Sequence, residues 1–343
     1  MADSSRQKIL IVRNDKLGDF MLSLPVFKFL KQSLPGCTLH ALVPEYTRDI
    51  ARACDSIDDI IIDPGKQASP YKQWQLVQTI RNQRYDGVIT LFSTTRIGWL
   101  VLLAGIRYRL APATKLAQVF YNHRLKQRRS LSEKPEYVYN LDMAIRYLQD
   151  QHLDIPAIPG GPYLQFPPER VRESRQDFFD KHAINGDPAL VIVHPGSGGS
   201  ASNLSLDQYA RLVRSLNIGH RYHIVITAGP GELEQAKHLG NLIHDISHSI
   251  YHSQHGLVSF AVFLQNAALF ISGSTGPLHI AGALDVPTAA FYPRRRSATS
   301  LRWQTLNSEA RRLGFMPPAE AGERDMQSID IDAAATEIKN KLL

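Results

Sequence analysis

The chain has only two cysteines in 343 residues, Cys37 and Cys54, which lack metal-ligand spacing. A disulfide framework and a structural zinc site are therefore not expected, and a reducing compartment is. Long hydrophobic runs are missing too. The longest, Gly98 to Ile106, spans nine residues, against the ~20 needed to cross a bilayer. The opening residues, MADSSRQKILIV, lack the apolar stretch and small-residue cleavage site of a secretory signal, so the expected location is the cytoplasm. Aromatic residues are absent from the two strongest basic runs, Arg124 to Arg129 and Arg294 to Arg296. A single-strand nucleic-acid platform needs such residues for stacking, so no nucleic-acid partner is expected.

What is present is an ordinary globular composition, 43% apolar and 21% charged, with a net charge of +7 that favours anionic partners. Short branched runs read as strands at Lys8 to Arg13, Thr38 to Val43, Ile60 to Ile62, Gly87 to Leu91 and Arg107 to Leu110. Helical spacing marks Leu17 to Leu34, Gln73 to Arg84 and Glu136 to Gln151. A proline- and glycine-rich segment, Ile155 to Pro168, then reads as a linker. The pattern restarts with strands at Ala189 to His194, His223 to Ala228, Ala268 to Ser272 and Pro287 to Tyr292. Leu206 to Leu216 reads as a helix opened by a Ser205/Gln208 capping box, and Pro277 to Leu284 as a small-residue helix. Strand and helix alternating in this way predict two α/β domains, each a doubly wound parallel sheet, facing each other across a cleft. The expected boundaries are 1–165, 166–330 and a last helix, 331–343, packing back on the body.

Ligands of such sheets sit beyond the carboxyl ends of the strands, so the loops there carry the candidate chemistry. The loop after the first strand is Asn14-Asp15-Lys16-Leu17-Gly18-Asp19. A carboxylate at the head of a helix can act as a general base or simply offset the helix dipole; spacing alone does not choose between Asp15 and Asp19. His194 is followed by Pro195-Gly196-Ser197-Gly198-Gly199-Ser200-Ala201, formally the G-x-G-x-x-A of a dinucleotide site. Ser202-Asn203-Leu204 intervenes before the next helix, however, and no acidic residue ends the following strand. Gly229-Pro230-Gly231-Glu232 offers a carboxylate suited to ribose hydroxyls. Ser274-Thr275-Gly276-Pro277 opens a helix whose free N–H groups favour an anion, with His279 within its first turn or so.

Taken in order, Gly18-Asp19, His194-Pro195-Gly196, Gly229-Pro230-Gly231-Glu232 and Ser274-Thr275-Gly276-Pro277-Leu278-His279 resemble glycosyltransferase family 9, the ADP-heptose:lipopolysaccharide heptosyltransferases, over roughly Lys8 to Pro293. The resemblance implies a GT-B fold of two Rossmann-like domains, the first binding acceptor and the second the donor nucleotide. It also implies an inverting, metal-independent heptose transfer to the lipopolysaccharide core, without cofactor. Asp19 then matches the general base, Glu232 the acid beside the donor nucleoside, and Thr275, Gly276 and His279 the tail of an Asp-Thr-Gly-x-x-His motif. Gly196, Ser197 and Ser202 complete the donor set. Lys16, Gly18, Arg124, Lys126, Arg128 and Arg129 fall on the acceptor side, where they suit an anionic glycolipid or an anionic membrane surface.

Two positions depart from the family pattern. Ser274 stands where an Asp is usual, and Ser202-Asn203-Leu204 where a Lys-x-Trp element is usual. Arg294, Arg295 and Arg296 follow a strand at the same predicted edge and are expected to take over the diphosphate, since Arg engages phosphate bidentately. The chain is read as lacking an Asp-x-Asp metal signature. A monomer is expected, bound at the periphery of the cytoplasmic membrane. Alternative readings are a transferase for another nucleotide sugar, an NAD-binding oxidoreductase and a non-catalytic nucleotide-binding paralogue.

Overall fold

The computed structural model describes residues 7–114, 116–198, 202–216 and 219–343. The chain divides into two compact units. The first holds residues 1–129 and 134–160, the second residues 130–133 and 161–343.

In the first unit, strands β1 (Lys8–Val12), β2 (Thr38–Pro44), β3 (Asp59–Asp63), β4 (Gly87–Thr90), β5 (Tyr108–Pro112) and β6 (His123–Leu125) form one sheet in the order β3-β2-β1-β4-β5-β6. Every pairing is parallel. β1 lies in the middle, covered on both faces, so Ile9 to Val12 have no exposed surface; this is why a parallel strand reads as an unbroken apolar run. The helices are α1 (Leu17–Met21), α2 (Leu24–Ser33), α3 (Arg48–Arg52), α4 (Pro70–Asn82), α5 (Thr95–Leu103) and α6 (Glu136–Asp150).

One expectation is corrected here. Leu17 to Leu34 is two helices, broken at Leu22 and Ser23. Pro25 stands in the first turn of α2; in an unbroken helix its ring would meet the carbonyl four residues earlier and its missing N–H would cost a further bond. Ser23 donates its hydroxyl to the Phe20 carbonyl at 2.6 Å and closes the break. The short α1 then carries Asp19 in its first turn, directly after the central strand.

The second unit repeats the plan. β7 (Ala189–His194), β8 (Tyr222–Ala228), β9 (His248–His252), β10 (Ala267–Gly273), β11 (Thr288–Phe291) and β12 (Arg312–Phe315) run in the order β12-β11-β10-β7-β8-β9. Counted within each unit, both sheets follow the order 3-2-1-4-5-6 of the Rossmann fold. Helices α7 (Pro168–Lys181), α8 (Leu206–Leu216), α9 (Leu233–Leu242), α10 (Gly256–Leu264), α11 (Gly276–Ala283) and α12 (Ile331–Leu342) cover it.

The α8 capping box forms in both directions, Gln208 N–H to Ser205 Oγ at 3.2 Å and Ser205 N–H to Gln208 Oε1 at 3.0 Å. α12 buries Ile331, Ala334, Ala335 and Ile338 in the core of this unit. Asp330-Ile331-Asp332 does have Asp-x-Asp spacing, but Asp330 caps α12 and Asp332 pairs with Arg211. The proline-rich stretch crosses the unit boundary, beyond which the Tyr163 and Leu164 amides both donate to the Ala283 carbonyl.

Candidate active site

In a sheet of this order the strand order reverses between the first and fourth strands, and the crevice opens beyond their carboxyl ends. In the first unit that point lies after β1 and β4.

The β1 loop is organised by Arg13, which is 2% exposed. Its Nε donates to Asp15 Oδ1 at 2.9 Å and its Nη2 to Asp19 Oδ1 at 2.5 Å. Nη1 reaches Glu136 Oε1 at 3.0 Å and Asn140 Oδ1 at 3.1 Å. Glu136 and Asn140 lie one turn apart on α6, so both face the same guanidinium. Arg129 turns inward and donates to Glu136 Oε1 at 2.6 Å. Among the described contacts three carboxylates thus share two guanidinium groups.

Burial, reinforced by Asp15 and Glu136 and opposed by Arg13, pushes the Asp19 carboxyl up to about 6. Burial raises Asp15 as well. A carboxylate tuned in this way is a stronger base than an ordinary one, yet it remains ionised at neutral pH. Asn14 anchors the loop from below by donating to Asp63, which also receives Arg96 and the Gly65 amide.

The remaining acceptor-side candidates divide. Lys16, the N-cap of α1, is exposed, and Gly18 is half-buried. Arg124 lies on the edge strand β6; it, Lys126 and Arg128 are exposed, whereas Arg129 belongs to the Glu136 cluster. Arg13, Glu136 and Asn140 are the residues that sequence reading missed. A charged residue ending an apolar central strand, and an acid and amide four apart at the head of an amphipathic helix, were the available signals.

In the second unit the loops after β7 and β8 meet around Glu232, and the end of β10 approaches the β7 loop at Asn203. Its carboxylate accepts the Gly198 amide and the Gly229 amide, each at 3.0 Å, and lies 3.8 Å from His194 Nε2. His194 is buried, which holds it below its usual range, and its Nδ1 meets Thr227 Oγ1 at 3.0 Å. The glycine of the β7 loop has a steric explanation, because a Cβ on Gly196 would fall 2.3 Å from the Glu232 carboxyl. Gly196→Ala is therefore expected to expel Glu232 from between the loops and break its bonds to the Gly198 and Gly229 amides, at a cost of about 1–3 kcal/mol. Thermal melting checks it, with an unchanged midpoint as the contrary result.

Asn203, in the departed Lys-x-Trp element, ties the same loops together. Its Nδ2 donates to the Pro195 carbonyl at 2.7 Å, its Oδ1 accepts Tyr209 Oη at 2.6 Å, and a Cβ on Gly273 would lie 2.5 Å from that Oδ1. Ser202 beside it, Ser197 and Ser274 are half-buried. Ala201, the last position of the dinucleotide-like pattern, lies outside the described residues.

Thr275 is the N-cap of α11, and Gly276 begins the helix. The Thr275 hydroxyl is buried against Ser272 Oγ at 3.0 Å, so what this turn presents is backbone N–H rather than side-chain oxygen. His279 is buried one turn on, its ring edge-on to Trp303 at 6.3 Å and its Nδ1 without a partner. Burial lowers it to about 4, so the ring is neutral at physiological pH. Arg294 is half-buried after β11, while Arg295 and Arg296 are exposed. Among the described residues none of these three forms an ion pair.

Comparison with known proteins identifies the family and the fold. The family model "Glycosyltransferase family 9 (heptosyltransferase)" matches residues 73–327. A candidate glycosyltransferase of Haemophilus influenzae is 46% identical over 334 residues, which cover 97% of this chain and 96% of that protein. Among solved structures, a family 9 glycosyltransferase from Veillonella parvula superposes with a TM-score of 0.81 at 16% identity, covering 98% of this chain and 97% of the other. The ADP-heptose lipopolysaccharide heptosyltransferase II of Escherichia coli gives 0.77 at 18% identity, covering 98% of each. At these identities the two structures establish the fold.

Proposed function

The chain belongs to glycosyltransferase family 9, and we propose that it moves a heptose from ADP-heptose to a hydroxyl of the lipopolysaccharide inner core, with inversion at the anomeric carbon. The observation that carries this reading is the Arg13 clamp on Asp19 at the head of α1, which provides one oriented, elevated carboxylate. In the proposed reaction Asp19 takes the proton of the acceptor hydroxyl, whose oxygen attacks the anomeric carbon as the bond to the diphosphate breaks.

Residues 166–330 hold the donor in this account, and residues 1–165 the acceptor. Glu232, an acceptor-only group, receives ribose hydroxyls, and the α11 N-terminus meets the diphosphate. Arg294, Arg295 and Arg296 neutralise the departing charge where Ser274 and Ser202 have replaced the family's acid and lysine. His279, neutral, contributes shape and a ring nitrogen. The acceptor is anionic and lipid-borne, which suits the exposed Arg124, Lys126 and Arg128. Among the described residues no helix is long and apolar enough to cross a membrane, and the proposed location is the cytoplasmic face of the inner membrane, as a monomer.

The replacements at Ser274 and Ser202 specifically favour one second reading, a family member using a different nucleotide sugar. A thermal-shift panel of ADP-heptose, other ADP-sugars, UDP-sugars, GDP-sugars and NAD separates the two. Stabilisation by ADP-heptose above the rest is expected, reduced when Arg294, Arg295 and Arg296 are all Ala. Preference for a UDP-sugar would replace the donor, and preference for NAD would overturn the reading.

A further inference from the structure

The net charge of the chain is +7, but it is not spread over the chain. Gly87 through Ser132 holds eight Lys and Arg and no Asp or Glu, so all other residues together carry a net charge of −1. The same stretch contributes Phe92, Trp99, Leu102, Leu116 and Val119 to the exposed large hydrophobic residues, at 44%, 50%, 37%, 79% and 70% exposure. Scattered apolar residues need no explanation, whereas a cluster beside unbalanced cations does.

The fold gathers four of the five, while the Phe92 ring lies 5.9 Å from the Arg13 guanidinium. Trp99 and Leu102 are three apart on α5 and so share a face. Leu116 and Val119 are three apart on a 3-10 turn, Leu116–Phe120, where that spacing eclipses side chains. The turn lies against α5 because residue 98 is glycine; a Cβ there would fall 2.9 Å from the Phe120 ring and 3.1 Å from the Tyr121 ring. Phe120 in turn stacks edge-on to Trp99 at 5.8 Å. Arg109 pins the end of the turn by donating to the Phe120 carbonyl at 2.9 Å. Arg107, at the start of the strand that follows α5, is exposed, as is Arg124 on the neighbouring β6. An indole and three aliphatic side chains, flanked by cations and free of acids, match the chemistry of an anionic bilayer surface: apolar groups for the acyl boundary, an aromatic ring for the headgroup level and guanidinium groups for the lipid phosphates.

We propose that the α5 and Leu116–Phe120 face is the surface by which the protein docks on anionic phospholipid membranes. The proposal rests on the reading above only in that a lipid-borne acceptor would give such docking its purpose. Sedimentation with vesicles of phosphatidylcholine, alone or mixed with phosphatidylglycerol, tests it. The wild-type chain is expected to pellet with the anionic vesicles, less so at high salt, and to stay in solution with the neutral ones. Trp99→Ser, Leu116→Ser and Val119→Ser combined should weaken anionic-vesicle binding at least about ten-fold, with ADP affinity unchanged and the thermal midpoint lowered only by the loss of Trp99's contact with the Phe120 ring. Arg107→Glu should also weaken it and reduce the salt dependence. Wild-type failure to pellet with either vesicle would overturn the proposal and point to a protein partner, and so would undiminished binding by the apolar variant. ADP titration, read on the same samples, reports on the donor site independently.

Discussion

Asp19→Asn is expected to lower turnover by about 10²–10⁴-fold, the range for loss of a positioned general base, while ADP binding stays within about two-fold of wild type. The amide is nearly isosteric, and among the described residues the Asp19 carboxylate pairs with Arg13 of its own unit. Wild-type kcat/KM should rise with pH on a limb centred near 6, the value to which burial lifts this carboxyl, and the variant should lose that limb. The stability effect has the opposite sense to the catalytic one. A carboxyl raised above its ordinary 3.8 contributes stability that is fully present below 3.8 and is lost as pH rises through about 6. Above pH 7 the Asn variant should therefore melt no lower than wild type, and a clear loss of stability there would mean that the Asp19 ion pair outweighs its desolvation. Retained turnover would remove Asp19 from the mechanism.

Arg13→Met should have the largest effect on folding. The side chain is buried among Asp15, Asp19 and Glu136, and removing it leaves carboxylates with only Arg129 to answer them. Breaking a buried charge pair by deleting one partner costs about 3–5 kcal/mol, which for a unit of this size lowers the melting midpoint by roughly 6–20 °C. The defect should shrink as pH falls from 8 to 5, because the abandoned carboxylates can then take up protons. Melting curves at the two values check both statements; equal midpoints for variant and wild type at pH 8 would contradict the assignment of Arg13 as the organiser of this loop. Arg13→Lys keeps the charge but cannot form the planar fork that reaches several acceptors at once, so it should rescue folding more fully than turnover.

The two sheets were readable from the chain because central parallel strands are buried on both faces and must be apolar throughout, as in β1, β4, β7 and β10. Of the four edge strands only β3 was, through Ile60 to Ile62. β6 is three residues inside a basic run, β9 reads His-Ser-Ile-Tyr-His and β12 contains Gly314; an edge needs less apolar surface, and charge there discourages further pairing. The single helix expected over Leu17 to Leu34 failed because apolar periodicity runs through the break and only Pro25 marks it. The loop motifs were visible as motifs, but not the contacts that connect them. Gly196 could be read as part of a fingerprint, whereas its need to admit the Glu232 carboxyl is a three-dimensional fact. Arg13 was hidden for a similar reason, since its partners Glu136 and Asn140 lie more than 120 residues away.

The most direct test of the proposed reaction is product analysis after incubation with ADP-heptose and a heptose-acceptor core glycolipid, by mass spectrometry and by NMR of the new anomeric centre. The account predicts an acceptor heavier by one heptose, one ADP released per transfer and an anomeric configuration opposite to that of the donor. An acceptor of unchanged mass, or a heptose transferred with its donor configuration retained, would contradict it.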